Sequence, residues 1–303
     1  MPCSKRLKVI IPLWLPFYAK EFEKLPSDTI NLLHKISSAT IDRLLKPVRI
    51  KYKTRGRCTT KPGTLLKKHI PIKTNQWDES RPEFIEADSV AHCGDTTSGQ
   101  YALTIDAVDI ATGWTEQRAI WGKGEADVLF QIKDIESKLP FVLLGFDCDN
   151  GSEFLNWHLL RHFSNRRSPI VFTRSRAYHK DDNSHVEQKN WTHVRQWLGY
   201  HRFDNPEIVP LLNELYTKEW RLFHNFFCPS VKLIQKKRVV SKTIKYYDNP
   251  KTPYQRVLES PYVNIHIKRS LKEQFDSLNP FKLRKSIENK LEKILALCYQ
   301  KKM

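Results

Sequence analysis

Between residues 81 and 205 the hydrophobic pattern changes its period in a fixed order, and this order constrains the fold more than any other feature. Three strand-like segments come first, separated by the turn-like GDTTSG and ATG: EFIEADSVAHC, YALTIDAVDI and WTEQRAIWG. After a helical segment comes LPFVLLGFD, an apolar run typical of a strand buried on both faces. A helix, the strand PIVFTRS and a last helix follow. The order predicts an α/β domain in which a three-stranded antiparallel meander and two further strands form a mixed sheet flanked by helices.

Three carboxylates fall at informative positions in this order. Asp88 lies on the first predicted strand, and Asp149 follows the buried strand in the turn DCDNGSEF. The crevice beyond the carboxyl ends of strands is where open α/β sheets bind ligands. Glu187 lies near the start of the last helix, where it shares one face with Asn190 and Val194. If that helix packs across the sheet, Glu187 is expected to point inward.

Carboxylates that converge on one point repel each other unless cations neutralise them, and hard oxygen ligands favour Mg²⁺ or Mn²⁺. Two such ions about 4 Å apart can activate an attacking oxygen and stabilise a leaving oxygen at phosphorus. Each residue also has an ordinary explanation, since Asp149-Asn150-Gly151 resembles a simple turn and Glu187 a solvated helix residue. Their joint placement favours a catalytic metal site.

Charge is divided unevenly along the chain. Residues 1–80 hold 17 Lys or Arg against 6 Asp or Glu, residues 81–231 hold 16 against 21, and residues 232–303 hold 18 against 6. Single charge runs are usually solvated surface, but opposite balances in adjacent segments favour two polyanion-binding arms around a carboxylate-rich centre. Nucleic acid is therefore the expected partner.

The flanking segments are assigned by periodicity. Residues 1–50 are assigned to a partial helix-turn-helix segment, in which residues 15–47 read as short helices. In this assignment SSATIDRLL is the recognition helix, with Ser37 and Ser38 as N-cap candidates and Thr40 and Arg43 facing DNA. This third helix is expected to stop before Pro47, and an ordinary helical pair is the alternative. Residues 51–80 read as a basic linker, residues 81–205 as the catalytic core, and residues 206–303 as a helical and basic C-terminal region.

Other classes of protein fit less well. The six cysteines are widely spaced, which argues against a zinc or redox motif and for reduced packing residues. No apolar run approaches the ~20 residues of a membrane span. The first 20 residues have a basic head and an apolar stretch, but Pro12, Pro16 and the lack of a small-residue cleavage site argue against export. A cytoplasmic, nucleoid-associated bacterial protein is expected.

From residue 84 to about 200 the sequence resembles the DDE transposases of bacterial insertion sequences, which share their catalytic core with retroviral integrases. The resemblance rests on FIEADSV, DCDNGSEF and HVEQKNW, with 37 residues between Asp149 and Glu187, close to the family spacing of about 35. Two stretches, SSATIDRLL and YYDNPKTPYQRVL, are similar less specifically. The resemblance implies an RNase H-like fold in which Asp88 bridges two Mg²⁺ or Mn²⁺ ions while Asp149 and Glu187 hold one each.

Further residues follow from the same resemblance. Asp147 is a second candidate that the match to DNG disfavours. Plausible contacts to the DNA end, each of which is otherwise a surface cation, are Lys180, Lys189 and Arg195. His92, His179 and His185 are candidates for groups around the site.

The implied activity is cleavage at an element end to leave a 3′-hydroxyl, which then attacks target DNA, carried out by a homo-oligomer on DNA. The alternatives are an RNase H-like nuclease that never joins, and a DNA-binding regulator that has lost catalysis. Related transposases carry more DNA-binding helices before the core, so the chain is expected to be a shortened product.

Overall fold

A computed structural model of the protein describes residues 2–51, 70, 80–175, 184–239 and 242–299. Its centre is a five-stranded sheet in the order β3-β2-β1-β4-β5, and its second sheet is a two-stranded hairpin, β6-β7. The strands are β1 Phe84–Ala91, β2 Ala102–Asp109, β3 Thr115–Trp121, β4 Gly145–Cys148, β5 Val171–Arg174, β6 Leu233–Val239 and β7 Lys242–Tyr247. Strands β1 to β3 pair antiparallel, and β4 and β5 continue the sheet in parallel. The predicted mixed sheet, with its meander, is confirmed.

Twelve α-helices are distributed over the described residues. They are α1 Ser4–Glu21, α2 Ser27–Lys35, α3 Ser38–Lys51, α4 Glu125–Lys138, α5 Trp157–Ser164, α6 Ser184–Lys189, α7 Gln196–Leu198, α8 Ile208–Leu215, α9 Arg221–Phe227, α10 Pro253–Glu259, α11 Ile265–Ser277 and α12 Pro280–Tyr299. Two π-helical segments, Asn190–Arg195 and Tyr216–Trp220, join α6 to α7 and α8 to α9. None of the described helices combines the length and the apolarity that a membrane crossing requires.

Helices cover both faces of the sheet. One core joins α4 and α5 to strand residues such as Ile85, Ile105 and Phe146. The other joins the π-helical segment after α6, α8 and α12 to residues such as Val90 and Ala119. Because successive strand residues point to opposite faces, Asp88 lies on the same face as Val90, under the helix that begins at Ser184.

Strand β4 is shorter than the apolar run that predicted it. Phe141 and Leu143 are buried but lie outside the strand. The carbonyl of Glu83 accepts from the amides of both Leu144 and Gly145, at 2.9 and 3.2 Å, so regular pairing begins only at Gly145. Glu83 itself has a φ of 99° and is held there by its amide, which donates to the carboxylate of Asp109.

The N-terminal helices differ from the prediction in extent. Helix α1 starts at Ser4 and continues through Pro12 and Pro16, because Trp14 packs edge-on against aromatic rings of the C-terminal helices and its indole donates to the carbonyl of Phe227. The prediction that the third helix stops before Pro47 is wrong, since α3 runs to Lys51. Proline removes a single helix hydrogen bond there, and the helix tolerates this loss one turn from its end.

Candidate functional site

The two aspartates lie side by side in the interior of the sheet, where β4 ends beside the middle of β1. Strands β1 and β4 run parallel with Ala87 opposite Cys148, so the next residues, Asp88 and Asp149, occupy neighbouring positions. Both side chains are half-buried. Asp88 accepts from the amide of Ser89 at 2.7 Å, and Asp149 accepts from the amide of Gly151 at 2.8 Å. The local backbone therefore orients one oxygen of each carboxylate.

A third carboxylate, which the sequence reasoning missed, approaches the pair from the same turn. Glu153 is 2% exposed, accepts from the hydroxyl of Ser89, and forms an ion pair with Lys123 at 2.8 Å. A Cβ placed on Gly151 would lie 2.7 Å from Oδ1 of Asp149 and 2.8 Å from Oε2 of Glu153. Glycine thus lets the two carboxylates close in on the turn. The only signal for Glu153 was its place within DCDNGSEF.

The surroundings of Asp88 and Asp149 disfavour the ionised forms of both carboxyl groups. Burial, and next the nearby Asp149, raise the pKa of Asp88 to about 7. Burial and the neighbouring Glu153 raise the pKa of Asp149 to about 6, although Lys123 acts in the opposite direction. A cation between the two carboxylates would reverse both effects, because it stabilises the ionised forms.

Helix α6 is held against β1 by backbone contacts and by Asn190. The carboxylate of Glu86 accepts from the amides of His185 and Val186 at 3.1 and 3.2 Å, at the start of the helix. One turn later, Nδ2 of Asn190 donates to Oδ2 of Asp88 at 2.6 Å. Glu187 lies between these anchors, and its side chain is exposed, so it is not buried beneath the helix.

The residues that α6 and the following π-helical segment turn inward are Val186, Lys189, His193 and Val194. Lys189 is only 5% exposed, and burial lowers its pKa to about 8 while Asp106 opposes this change. Asp106 is the register partner of Asp88 on β2, and burial raises its pKa to about 8. This arrangement leaves Lys189 little surface for the predicted DNA contact and makes it the internal counter-charge of a carboxyl beside Asp88.

The other predicted DNA contacts have different settings. Arg195 is half-buried, donates to the carbonyl of Ala91 at 2.8 Å and lies over the Tyr200 ring. Ser37 caps α3, and Thr40 is half-buried in contact with it, whereas Arg43 is exposed. Lys180 lies outside the described residues.

Four alternative residues were also named from the sequence. Asp147 is buried and accepts from the hydroxyl of Thr173. His92 is buried, stacks on Phe203 and pairs with Thr104, and burial lowers its pKa to about 3. His185 is half-buried at the start of α6, and His179 lies outside the described residues. The five cysteines that the structure describes are free thiols.

Within the described ranges, no three His, Cys, Asp or Glu side chains form a metal-ligand set. The chemistry of the donors nevertheless fits a hard divalent cation, since Asp88 and Asp149 supply carboxylate oxygens at one point. The buried Oδ1 of Asn190, on the same side chain that holds Asp88, finds no hydrogen-bond donor among the described residues. An oxygen without a donor is a further group that a cation or its water could satisfy.

Comparison with known proteins gives the chain a family. No family model matches the sequence. Over 256 residues the chain is 36% identical to the uncharacterized protein y4rM of Sinorhizobium fredii, and the alignment covers 84% of this chain and 72% of the relative. The chain belongs to the family of y4rM. Among solved structures, the catalytic core domain of BIV integrase matches 59% of this chain and 95% of its own, with 14% identity and a TM-score of 0.36, a likeness too distant to carry a functional argument.

Proposed function

We propose that this protein is a metal-dependent enzyme that cuts and joins DNA, a transposase/integrase-type polynucleotidyl transferase with Asp88, Asp149 and Glu187 as its catalytic carboxylates. The observation that carries the proposal is the side-by-side placement of Asp88 and Asp149, where β4 ends beside its parallel neighbour β1. The raised pKa values of both groups support it, because a cation offsets the repulsion behind them. An RNase H-like fold is part of the proposal.

Asp88 and Asp149 would hold Mg²⁺ or Mn²⁺, with Glu187 as the proposed third ligand and two ions at the full site. Such ions, when bound, polarise the phosphodiester and lower the pKa of a bound water. Asn190 orients the carboxylate of Asp88 by its 2.6 Å hydrogen bond. Glu86 accepts from the amides of His185 and Val186 and so anchors the turn of α6 that carries Glu187.

The proposed substrates are element ends and target DNA, bound by a homo-oligomer associated with the bacterial nucleoid. Hydrolysis of one phosphodiester leaves a 3′-hydroxyl and a 5′-phosphate. When that hydroxyl attacks a target phosphodiester, one P–O bond forms, the target's P–O3′ bond breaks, and the proton of the attacking hydroxyl is balanced by the 3′-hydroxyl released on the target strand. The proposed DNA contacts are Thr40, Arg43, Lys180 and Arg195. Lys189, predicted as a fifth contact, is buried and is proposed to act as the counter-charge of Asp106. The helix-turn-helix role of α2 and α3 is likewise part of the proposal.

The test is a cleavage-and-joining assay with supercoiled plasmid, labelled duplex oligonucleotides that carry the candidate element ends, and Mg²⁺ or Mn²⁺. We expect nicked plasmid and joined label with the unmodified chain, and neither with Asp88→Ala, Asp149→Ala or Glu187→Ala. The matched control is Asp276→Ala, since Asp276 is an exposed aspartate on α11. Wild-type activity in all three of these carboxylate variants would contradict the assignment.

The same assay separates the proposal from its rivals. Cleavage without joined product would identify a nuclease that only hydrolyses. DNA binding that survives EDTA, with no nicking in Mn²⁺, would identify a regulator without catalysis. Either result overturns the transferase assignment.

A further inference from the structure

The hairpin formed by β6 and β7 is unusual because its surface is almost entirely exposed. Every side chain that the structure describes in β6 and β7 is exposed. The exposed set includes large apolar and aromatic residues: Ile234, Val239, Ile244, Tyr246 and Tyr247. A two-stranded hairpin without a partner is only marginally stable in water, and a long exposed ribbon of this kind marks an interaction surface.

Charge indicates the partner. Residues 232–247 contain six Lys or Arg and no Asp or Glu. Pairing in the hairpin places Arg238 opposite Thr243 and Lys245 opposite Lys236, so Arg238 and Lys245 belong to the same face of the ribbon. Tyr247, 51% exposed, lies two residues from Lys245 on that face. A surface that combines cations with an aromatic ring fits a polyanion, and a second copy of the same hairpin would repel it.

The root of the hairpin is anchored to the sheet that carries Asp88. The carboxylate of Asp248 accepts from the Lys232 amide and from Arg256 of α10, both at 2.6 Å. The ammonium of Lys232 donates at 3.1 Å to the carbonyl of Ala111, in the turn between β2 and β3. The exposed ribbon therefore projects from a fixed base.

This base also lies close to the helix that holds the site. A Cβ placed on Gly113, in the same turn, would be 3.7 Å from Oγ of Ser230 and 4.0 Å from Nζ of Lys189. Lys189 precedes Asn190, the residue that donates to Asp88. The hairpin thus starts beside Lys189, the last residue of α6. A nucleic acid bound along the hairpin would extend from that side of the molecule.

We propose that the β6–β7 hairpin is a duplex-DNA-binding arm, in which the face carrying Arg238, Lys245 and Tyr247 contacts the phosphate backbone. A two-stranded ribbon has the width that the major groove of DNA admits. The inference rests on the proposed function for its choice of DNA as the polyanion. It adds a surface beyond the core resemblance of residues 84 to about 200, and only Tyr246 and Tyr247 of the hairpin fall within the less specific downstream similarity.

The test is fluorescence anisotropy of the full chain with a labelled duplex of arbitrary sequence, in EDTA, over a series of salt concentrations. In the double variant Arg238→Gln with Lys245→Gln we expect Kd to rise about tenfold and the slope of log K against log salt to fall by about 1.8, because each lost phosphate contact removes about 0.9. Lys245→Gln alone is expected to lower the slope by about half as much. Circular dichroism is expected to stay unchanged, since both side chains are exposed.

The matched control is Arg269→Gln with Lys272→Gln, which removes the same charge from exposed positions on α11. An equal loss of affinity in the control, or a wild-type Kd and slope in both hairpin variants, would overturn the inference. A hairpin variant that keeps its DNA affinity but sediments as a smaller species would identify a subunit contact and also overturn it. A chain that nicks DNA in Mn²⁺ yet binds it equally well without the hairpin charges refutes the arm alone. A chain that binds through the hairpin but never nicks refutes the proposed enzyme alone.

Discussion

The acidic cluster of Asp88, Asp149 and Glu153 and the β6–β7 hairpin are built in opposite ways. In the cluster, backbone amides, Ser89 and Asn190 hold the three carboxylates together, although their charges repel. In the hairpin, positive charges and aromatic rings stand on a ribbon whose described side chains are all exposed. The cluster holds mutually repelling carboxylates at a fixed point, whereas the hairpin exposes its positive side chains to solvent. The cluster is therefore suited to bind a small cation, and the hairpin is suited to bind an extended anion.

The largest expected effect separates these two regions. Asp149→Ala is expected to lower Mn²⁺-dependent nicking of supercoiled plasmid about a hundredfold or more, because metal-ion catalysis contributes several kcal/mol. Its affinity for duplex DNA in EDTA is expected to equal or exceed that of the unmodified chain, since a negative charge is removed. Loss of both DNA binding and nicking would show that the acidic cluster and the DNA-binding surface on the hairpin are not separate.

A smaller loss is expected from filling the turn at Gly151. In Gly151→Ala the new methyl group would meet Asp149 and Glu153 at less than 3 Å, so both carboxylates must move. Misplacement on the order of 1 Å reduces rates by up to about a hundredfold, and we expect a loss of between about tenfold and a hundredfold in nicking. Gly124→Ala is the control, because its methyl group meets only the exposed Asp127 side chain, at 3.0 Å. Equal activity in the two variants would argue against a close approach of these carboxylates.

Asn190 tests whether the helix positions Asp88. Asn190→Ala is expected to lower nicking about tenfold, as loss of a group that orients a metal ligand commonly does. The hydrogen bond from Asn190 lowers the pKa of Asp88, so its loss should also move the pH profile of nicking to higher pH. Thr192→Ala, on the same helix, is expected to leave both unchanged. A lower rate with an unmoved pH profile would indicate a merely structural role for Asn190.

The last prediction leaves catalysis aside and concerns stability in the absence of metal. The pKa of Asp88 is raised from 3.8 to about 7 in the folded protein, so the folded state binds more protons than the unfolded state between these values. Its contribution to the free energy of unfolding is therefore lost as pH rises from about 4 to 7. In EDTA, Asp88→Asn should remove a decline of a few kcal/mol, because each pKa unit corresponds to about 1.4 kcal/mol; urea unfolding at several pH values measures this decline. Parallel pH curves for the two proteins would contradict the raised pKa.

Much of the sheet could be predicted from the sequence, because strand periodicity and turn residues are local signals. The sequence also placed Asp88 on the first strand and Asp149 just beyond the carboxyl end of the buried strand. Their adjacency follows from the pairing of β1 with β4, a long-range contact that local patterns do not encode. The hairpin was visible only as a basic, strand-prone stretch. Its exposure is a property of the tertiary structure, which no local pattern encodes.

The side chains around the pair were harder to predict. Glu153 reaches the site because the chain reverses at Gly151, and Asn190 reaches Asp88 from the point where the helix changes from α to π geometry. A constant period of 3.6 residues placed Glu187, Asn190 and Val194 on one face, and Val194 is indeed buried while Asn190 contacts Asp88. The structure also turns Lys189 and His193 inward and leaves Glu187 exposed, which that period did not predict. Burial of Lys189 depends on Asp106, a partner on a distant strand that periodicity cannot identify.

The most direct measurement is a Mn²⁺ titration of the full chain, followed by the electron paramagnetic resonance signal of free Mn²⁺. If Asp88 and Asp149 form a cation site, the unmodified chain and Asp276→Asn will remove Mn²⁺ from solution with the same affinity, and Asp88→Asn with Asp149→Asn will lose this binding. Binding of Mn²⁺ by the double variant with unchanged affinity and stoichiometry would contradict the site.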